Sequence, residues 1–298
     1  MKKLLKWLKW VVLTIVVLVL IVLLPFGVNT MYQKVRASSL TKQEKYFEDI
    51  DRLEYVMKNE FAGYRSFNGS DSFEAMLKEL RNKVKHNAFP SQTAFNLSII
   101  KTVASYPNIC SYFDIPIQHV CSSILKKMGR NYNRRSLDRL FDKIRAEVPG
   151  ASLRTTLIVG FPGESEKDFN TLLRFVENTQ FDHLGVFLYS DSEDLSSHRL
   201  LDHVPVEVAK ERYDQLMSCQ LDISARNYQQ YIGQTLPVLV EEPVEKNLYV
   251  GRTPFQAPEV DGMTYIKSGP RQPAPVIGSF LQIKVSDAME YDLIGDAI

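Results

Sequence analysis

Cysteine is scarce in this sequence of 298 residues, which contains only Cys110, Cys121 and Cys219. No two of them form a CxxC pair and no three form a CxxxCxxC loop, so their spacing predicts neither a zinc ribbon nor an iron–sulfur loop. An odd number also argues against a closed framework of disulfide bonds. We expect three buried or unreactive thiols.

A large excess of charge is absent as well. The chain has 36 Lys and Arg against 35 Asp and Glu, a formal net charge of +1. This balance gives no general electrostatic case for nucleic-acid binding, although it leaves room for a local basic patch. Hydrophobic residues at 45% and charged residues at 24% are typical of a globular protein, and the length suits about two domains.

A long apolar run is present only near the N-terminus. An apolar stretch at residues 11–28 is preceded by four lysines and by the aromatic residues Trp7 and Trp10. Together with the apolar residues before it, this run approaches the ~20 residues that span a bilayer. A cleaved signal peptide is the alternative, but no small-x-small cleavage site follows. We therefore expect residues 1–30 to form a membrane anchor, with the membrane as partner of residues 11–28 and a cytoplasmic N-terminus.

Two helices are predicted over residues 38–86. Apolar residues recur at helical spacing from Phe47 to Met57, and Asp71 followed by Glu74 has the spacing of a capping box. The segment Tyr46–Tyr64 weakly resembles the helical region that precedes the catalytic core of C-terminal-processing serine proteases. It contains no nucleophile motif, and a short helical hairpin is the simpler interpretation.

An α/β fold is predicted for residues 87–231, where strands and helices alternate. Three β-rich segments and the helical patterns between them form βαβ units, which indicate a parallel sheet or part of a barrel. Residues 232–298 instead contain short β-rich runs separated by Gly, Pro, Asn and Asp, the pattern of a small antiparallel β-barrel. The β-rich segments are Phe113–Ile117, Leu153–Val159 and Leu184–Tyr189 in the first region, and residues 236–240, 248–250, 280–285 and 293–294 in the second.

Three motifs could carry chemistry. The glycine-containing turn after Val159 joins a strand to a helix, where free backbone N–H groups can approach a ligand. Gln118 and His119 follow the first strand, and His119 could be a general base, a ligand or an ordinary core histidine. A third group, Arg130, Arg134 and Arg135, could hold a carboxylate or phosphate or could form a solvated loop.

Several of these segments occur together, in this order and spacing, in one known family. The region from residue 87 to residue 298 resembles the C-terminal part of the radical-SAM methylthiotransferases of the RimO type, including their TRAM domain. The segments that carry the resemblance are NICSYFDIPIQH (108–119), LRTTLIVGFPGESEKDF (153–169), HLGVFLYS (183–190), VGRTPFQAPEVDG (250–262) and YDLIGDAI (291–298).

The resemblance implies a partial βα barrel of the TIM-like radical-SAM kind, with S-adenosylmethionine (SAM) and 4Fe–4S clusters as the family's cofactors. It implies that the TRAM domain contacts a small-subunit ribosomal protein, of which the enzyme modifies an aspartate, or RNA. It also implies a SAM pocket at the carboxyl ends of the strands. The implied pocket residues are Ile158 and Gly160 beside the adenine, Gln118 and His119 at a strand end, Arg154 at the carboxylate, and Phe187 on the far side.

The departures from the family pattern concern catalysis. The sequence contains no CxxxCxxC loop, so the ligands of the catalytic cluster are absent, and residues 192–196 replace a Glu-Glu-Gly-Thr segment. A sheet without its first strands would have an unpaired edge. We therefore expect four regions (1–30, 38–86, 87–231 and 232–298), joined as a fusion or fragment that is inactive alone. A membrane-anchored binding module is the alternative, and the family's cytoplasmic location conflicts with the predicted anchor.

Overall fold

The computed structural model describes residues 41–59, 70–86, 92–105, 110–269 and 272–298. The chain forms two compact units, residues 1–99 and residues 100–298. The predicted membrane anchor at residues 11–28 lies outside the described residues. Among the helices that the structure does describe, none is sufficiently long and apolar to span a bilayer.

The first unit contains two helices that pack against each other, α1 (Lys42–Asn59) and α2 (Ser70–Lys85). Their buried side chains include Tyr46, Ile50 and Leu77. The Arg81 guanidinium on α2 forms ion pairs with two carboxylates of α1. The predicted helical hairpin therefore exists, whereas helix α3 (Gln92–Ser105), which follows it, was not predicted from the sequence.

The second unit combines a parallel three-stranded sheet with a closed barrel of five strands. The α/β class and the small barrel are therefore confirmed. The elements of the sheet region are β1 (Tyr112–Asp114), α4 (Ser122–Lys127), α5 (Arg134–Glu147), β2 (Ser152–Val159), α6 (Glu166–Thr179), β3 (His183–Leu188) and α7 (Val206–Gln229). The barrel strands are β4 (Thr235–Glu245), β5 (Leu248–Arg252), β6 (Thr264–Lys267), β7 (Phe280–Ala288) and β8 (Leu293–Ala297).

Strand β2 lies at the centre of the sheet, with β1 and β3 parallel to it on either side. Its side chains alternate between two faces, as in any β-strand. Leu153, Leu157 and Val159 are buried in a core that they share with α5, α6 and α7. Arg154 and Ile158 lie on the opposite face and are only partly buried.

Helices α5 and α6 are each preceded by a residue whose side chain caps the helix N-terminus. Asn133 accepts a hydrogen bond from the Ser136 backbone N–H, and Ser165 accepts one from that of Asp168. Each pair is reciprocal, so two backbone donors are satisfied at each helix start. The cap at Asn133 explains why α5 begins at Arg134.

The barrel closes with one parallel contact, between β6 and β8, and antiparallel pairing elsewhere. Strand β6, with the sequence TYIK, was missed because only two of its four residues are strongly apolar. The order β4-β5-β6-β8-β7 leaves no free edge. Closure of this kind protects a small all-β domain from edge-to-edge association.

Candidate functional site

The candidate site is the carboxyl edge of the sheet, where β2 and β3 end side by side at Val159 and Leu188. Beyond β1 the chain continues alongside β2, because the Gln118 N–H donates to the Thr156 carbonyl and the Ile158 N–H donates to that of Gln118, each over 2.8 Å. Ile158 pairs with Phe187 on β3. The structure therefore brings three of the predicted residues, Gln118, Ile158 and Phe187, to one edge.

This edge presents apolar surface to solvent. The Phe187 side chain is 58% exposed, and Ile158 beside it is partly exposed. A phenylalanine on the face of a sheet is usually buried, because its ring removes a large apolar area from water. The exposed ring is suited to stacking on a flat ligand such as an adenine.

Gln118 has a left-handed backbone with φ of 64°. Residues other than glycine rarely adopt this region, and such strain collects at ligand sites. Two backbone hydrogen bonds to β2 hold the residue in this conformation. Its placement at a strand end is compatible with a role in ligand contact.

Position 160 must be a glycine for a structural reason. Its φ is 77°, and a Cβ atom placed there would lie 2.6 Å from the Cβ of Ala209 on α7. Its N–H donates to the Glu164 carboxylate over 2.9 Å. The glycine is therefore required for the turn and for the close approach of α7, whether or not a ligand binds beside it.

A buried group of three ionisable side chains lies behind this turn. The Arg212 guanidinium on α7 donates to the Glu164 carboxylate over 3.0 Å, and the His119 Nε2 lies 4.0 Å from the other oxygen of that carboxylate. His119 is 0% exposed, and its Nδ1 accepts the Cys121 backbone N–H. The predicted contact between His119 and a cofactor would require the surrounding chain to open, so the core-histidine alternative describes the observed geometry.

Burial shifts the pKa values of this group in opposite directions. It raises the pKa of Glu164 to about 7, although Arg212 opposes the shift by favouring the carboxylate. It lowers the pKa of His119 to about 4, because an imidazolium is poorly solvated there. Arg212 adds to this lowering, whereas Asp168 opposes it. His119 is therefore neutral at pH 7.

Arg154 lies near the amino end of β2 and contacts two carboxylates. Its Nη1 donates to Asp114 over 2.8 Å, and its Nε lies 3.5 Å from Asp261 in the barrel. Four residues separate Arg154 from Ile158, roughly 13 Å along a strand. The expectation that Arg154 binds the SAM carboxylate stays a prediction, and it would require the guanidinium to exchange partners.

Asp261 joins the barrel to the sheet. Its side chain is 1% exposed, accepts the Tyr112 hydroxyl over 2.6 Å and the Ala257 N–H over 2.8 Å, and lies 3.3 Å from Nδ1 of His183. The other ring nitrogen of His183 lies 2.7 Å from the Phe255 carbonyl. We call Asp261, Arg154, His183 and Tyr112 the interdomain clamp. Sequence reasoning missed it, because nothing in the chain order indicates that residues more than 70 positions apart meet.

The segment after β3 contains a second polar group that was not predicted. The Tyr189 hydroxyl donates to Asp191 over 3.0 Å, and Nδ1 of His198 lies 2.9 Å from that carboxylate. The hydrogen bond with His198 lowers the pKa of Asp191. Asp191 and His198 flank residues 192–196, where the sequence departs from the family it resembles, whereas Tyr189 belongs to the segment 183–190 that carries the resemblance.

The cysteines do not form a metal centre. Within the described ranges, no three His, Cys, Asp or Glu side chains are arranged to hold a metal ion. Burial raises the pKa of Cys121 to about 12 and also raises that of Cys219, so both thiols are protonated at neutral pH. A 4Fe–4S cluster of this family is held by three cysteines of one CxxxCxxC loop, which the sequence lacks, so the residues of this chain do not fit the family's catalytic cluster.

Comparison with known proteins defines the class first. Residues 48–176 match the Radical SAM superfamily, and residues 232–298 match the TRAM domain. The first match begins inside the segment that weakly resembles a protease, so that segment falls largely within the radical-SAM match. The chain therefore joins part of a radical-SAM domain to a TRAM domain.

The full-length relatives narrow this assignment. The chain is 48% identical over 199 residues to the ribosomal protein uS12 methylthiotransferase RimO of Desulfosudis oleivorans, covering 67% of this chain and 44% of the relative. It is 46% identical over 200 residues to that of Clostridioides difficile, with coverages of 67% and 44%, and 37% identical over 253 residues to that of Geotalea uraniireducens, with 82% and 55%. The chain is RimO-like, and it spans about half the length of these relatives.

The clamp generates a stability prediction. Asp261→Asn removes the negative charge that faces Arg154 and His183 while keeping the size of the side chain. Arg154 keeps its ion pair with Asp114, so the variant loses chiefly the charged acceptor of the Tyr112 hydroxyl and the Ala257 N–H. We expect the free energy of unfolding, measured by urea denaturation, to fall by about 1.5–3 kcal/mol. Asp296→Asn, at an exposed position of β8, should change it by less than about 0.5 kcal/mol. Equal effects of the two variants would show that the clamp does not stabilise the fold.

The Glu164 pKa generates a pH prediction. Because the folded pKa of about 7 exceeds the ordinary 4.5, the folded state retains a proton that the unfolded state releases, and Glu164 weakens the fold as pH rises from 4.5 to 7. Glu164→Gln removes this loss. The free energy of unfolding of the variant, relative to the unmodified protein, should therefore rise by on the order of 3 kcal/mol across that interval.

The matched control for this experiment is Glu166→Gln. Glu166 faces the same Arg212 over 3.4 Å, but its side chain is 73% exposed. This variant makes the same chemical change at an exposed carboxylate, so it separates the effect of burial from the effect of losing a contact with Arg212. His119 contributes to the pH dependence of the free energy of unfolding with the sign opposite to that of Glu164. Because His119 is present in all three proteins, this contribution cancels when their profiles are subtracted. If the free energy of unfolding of Glu164→Gln relative to the unmodified protein does not change between pH 4.5 and 7, the raised pKa of Glu164 is contradicted.

Proposed function

We propose that this chain carries the SAM-binding edge and the substrate-contacting barrel of a RimO-type methylthiotransferase. The observation that supports the proposal most directly is the exposed Phe187 beside Ile158, at the carboxyl edge of a parallel sheet. Ligands of α/β folds bind at this edge. In the family, SAM supplies the radical chemistry that methylthiolates an aspartate of a ribosomal protein.

The proposed SAM site uses residues that the structure places around this edge. Phe187 and Ile158 offer apolar surface to the adenine, the strained Gln118 lies at the neighbouring strand end, and the Gly160 turn closes one side. Glu164 lies behind the turn and accepts the Gly160 N–H, and the buried His119 lies 4.0 Å from the same carboxylate, so neither side chain is proposed to touch the ligand. Arg154 is proposed for the SAM carboxylate only if it leaves Asp261.

The charge of the barrel supports a protein partner rather than RNA. Residues 232–298 contain five Lys and Arg against nine Asp and Glu, a formal net charge of −4. The related enzymes are named for ribosomal protein uS12, and proteins that bind RNA are typically rich in lysine and arginine. An acidic barrel attracts such a protein and repels phosphate. RNA contact through the barrel is the second candidate, since TRAM domains are associated with RNA binding.

We also propose that this chain does not catalyse the reaction alone. SAM cleavage in the family depends on a reduced iron–sulfur cluster, and the three cysteines here do not provide its ligands. A binding role without catalysis is the alternative function, because the SAM edge and the barrel are both formed. The family's cytoplasmic location is proposed for the enzyme part, and the membrane anchor stays a prediction from the sequence.

The SAM site can be tested by isothermal titration of the full chain with SAM. Phe187→Ala should weaken binding by roughly 5- to 100-fold, because stacking of a base on an aromatic ring contributes about 1–3 kcal/mol. Phe280→Ala is the matched control, since Phe280 is 57% exposed on a barrel strand. It should leave SAM affinity unchanged. Absence of SAM binding to the unmodified chain, or the same loss in both variants, would contradict the proposed site.

A further inference from the structure

The segment from residue 126 to residue 145 is strongly basic. It contains eight Lys and Arg against only two acidic residues, Asp138 and Asp142, in a chain whose overall charge is nearly balanced. It covers the end of α4, the following loop and most of α5. Its charge is opposite in sign to that of the barrel.

Two of these arginines have a structural role. Arg134 forms an ion pair with Asp138 over 3.2 Å and lies above the Phe175 ring at 4.6 Å. Arg145 donates to the Gln180 carbonyl over 3.0 Å, at the end of α6. Arg134 therefore packs against α6, and Arg145 caps the end of that helix, so both arginines have a structural role.

Lys143 on α5 is paired with Glu147 over 3.1 Å, which leaves five cations of the segment to explain. Within the described part of the chain, no carboxylate lies within 4.0 Å of their charged groups, and all of them are exposed. Lys127 donates to the Pro162 carbonyl over 3.4 Å and Arg139 donates to the Arg135 carbonyl over 3.2 Å, but no ion pair of the described residues has to be broken before these cations meet an external anion. We call this set the basic ridge; it consists of Lys126, Lys127, Arg130, Arg135 and Arg139.

The basic ridge is unfavourable for helix stability. Arg135 lies in the first turn of α5, where the helix dipole disfavours a cation and where no acidic residue is present. Arg135 and Arg139 are spaced by four residues and repel each other along one helix face, at a few tenths of a kcal/mol, whereas Lys143, four residues further on, is paired with Glu147. Helix stability alone would favour an acidic residue in this first turn.

The ridge lies beside the carboxyl edge of the sheet. Lys127 Nζ is 3.4 Å from the Pro162 carbonyl in the turn that follows β2, and the Tyr132 hydroxyl donates to the Ile117 carbonyl over 2.8 Å. A polyanion on the ridge would therefore lie next to the proposed SAM edge. The barrel would remain available for a protein.

We propose that the basic ridge binds the phosphate backbone of RNA. Exposed, unpaired arginines and lysines on a helix and its preceding loop suit phosphate contacts, which need charge rather than a pocket. The choice of RNA over another polyanion rests on the proposed function, because a ribosomal protein is surrounded by RNA. In such a target, the acidic barrel would contact the protein and the basic ridge would contact the RNA.

The test compares two double variants of the full chain. Arg135→Gln/Arg139→Gln neutralises the ridge, and Lys267→Gln/Lys284→Gln makes the same charge change at exposed barrel positions. Binding to a fluorescent oligouridylate of about 20 nucleotides is measured by anisotropy over a range of salt concentrations. The ridge variant should bind roughly 25-fold more weakly at about 0.1 M salt, and its salt slope should fall by about 1.4, or about 0.7 for each lost contact.

The barrel variant should bind the RNA as tightly as the unmodified chain. The thermal midpoint of the ridge variant should stay equal or rise, because repulsion along α5 is removed, so a loss of binding cannot be ascribed to unfolding. Equal losses in both variants, or no RNA binding by the unmodified chain, would overturn the proposal. So would ridge-dependent binding to phosphatidylserine vesicles without RNA binding, which would identify a membrane surface.

A lysine-rich peptide titrated in parallel tests the barrel separately and should bind both ridge-neutralised and unmodified chains equally.

Discussion

Strand β2 is the constraint on which the second unit depends. Its parallel register with β1 and β3 places alternate side chains on two faces that have different tasks. One face, with Leu157 and Val159, is buried beneath the helices. The other carries Arg154 near one end, where it meets the barrel, and Ile158 near the other end, at the open edge. A shift of one residue would exchange the faces, burying Arg154 and exposing the core.

Electrostatics divides the same unit into separate surfaces. Buried charges such as Glu164 and Arg212 are paired, and they fix the turn after β2. The exposed charges separate by sign, with the acidic barrel at the amino end of the strands and the basic ridge beside the carboxyl end. The interdomain clamp keeps these surfaces in a fixed relation, because Asp261 contacts residues of all three strands or their ends. This arrangement is suited to holding a composite target rather than a small molecule alone.

Much of this fold follows from local sequence pattern. The βαβ order, the capped start of α6 and the small barrel were predictable, because alternation, capping residues and turn residues act within a few positions. Helix α3, α4 and strand β6 were missed, since their apolar patterns are short or weak. The site was predictable only through family resemblance, which indicated Gln118, Ile158 and Phe187. The clamp and the burial of His119 depend on long-range packing that no local pattern reveals.

The central proposal is that this RimO-like chain carries the proposed SAM edge but does not cleave SAM alone. The most direct measurement is formation of 5′-deoxyadenosine after the full chain is incubated anaerobically with iron, sulfide, a strong reductant and SAM. The account predicts no product above that of the reagents alone and no cluster absorption, because the sequence lacks a three-cysteine loop. Product formation that requires the chain, together with a bound cluster, would contradict it.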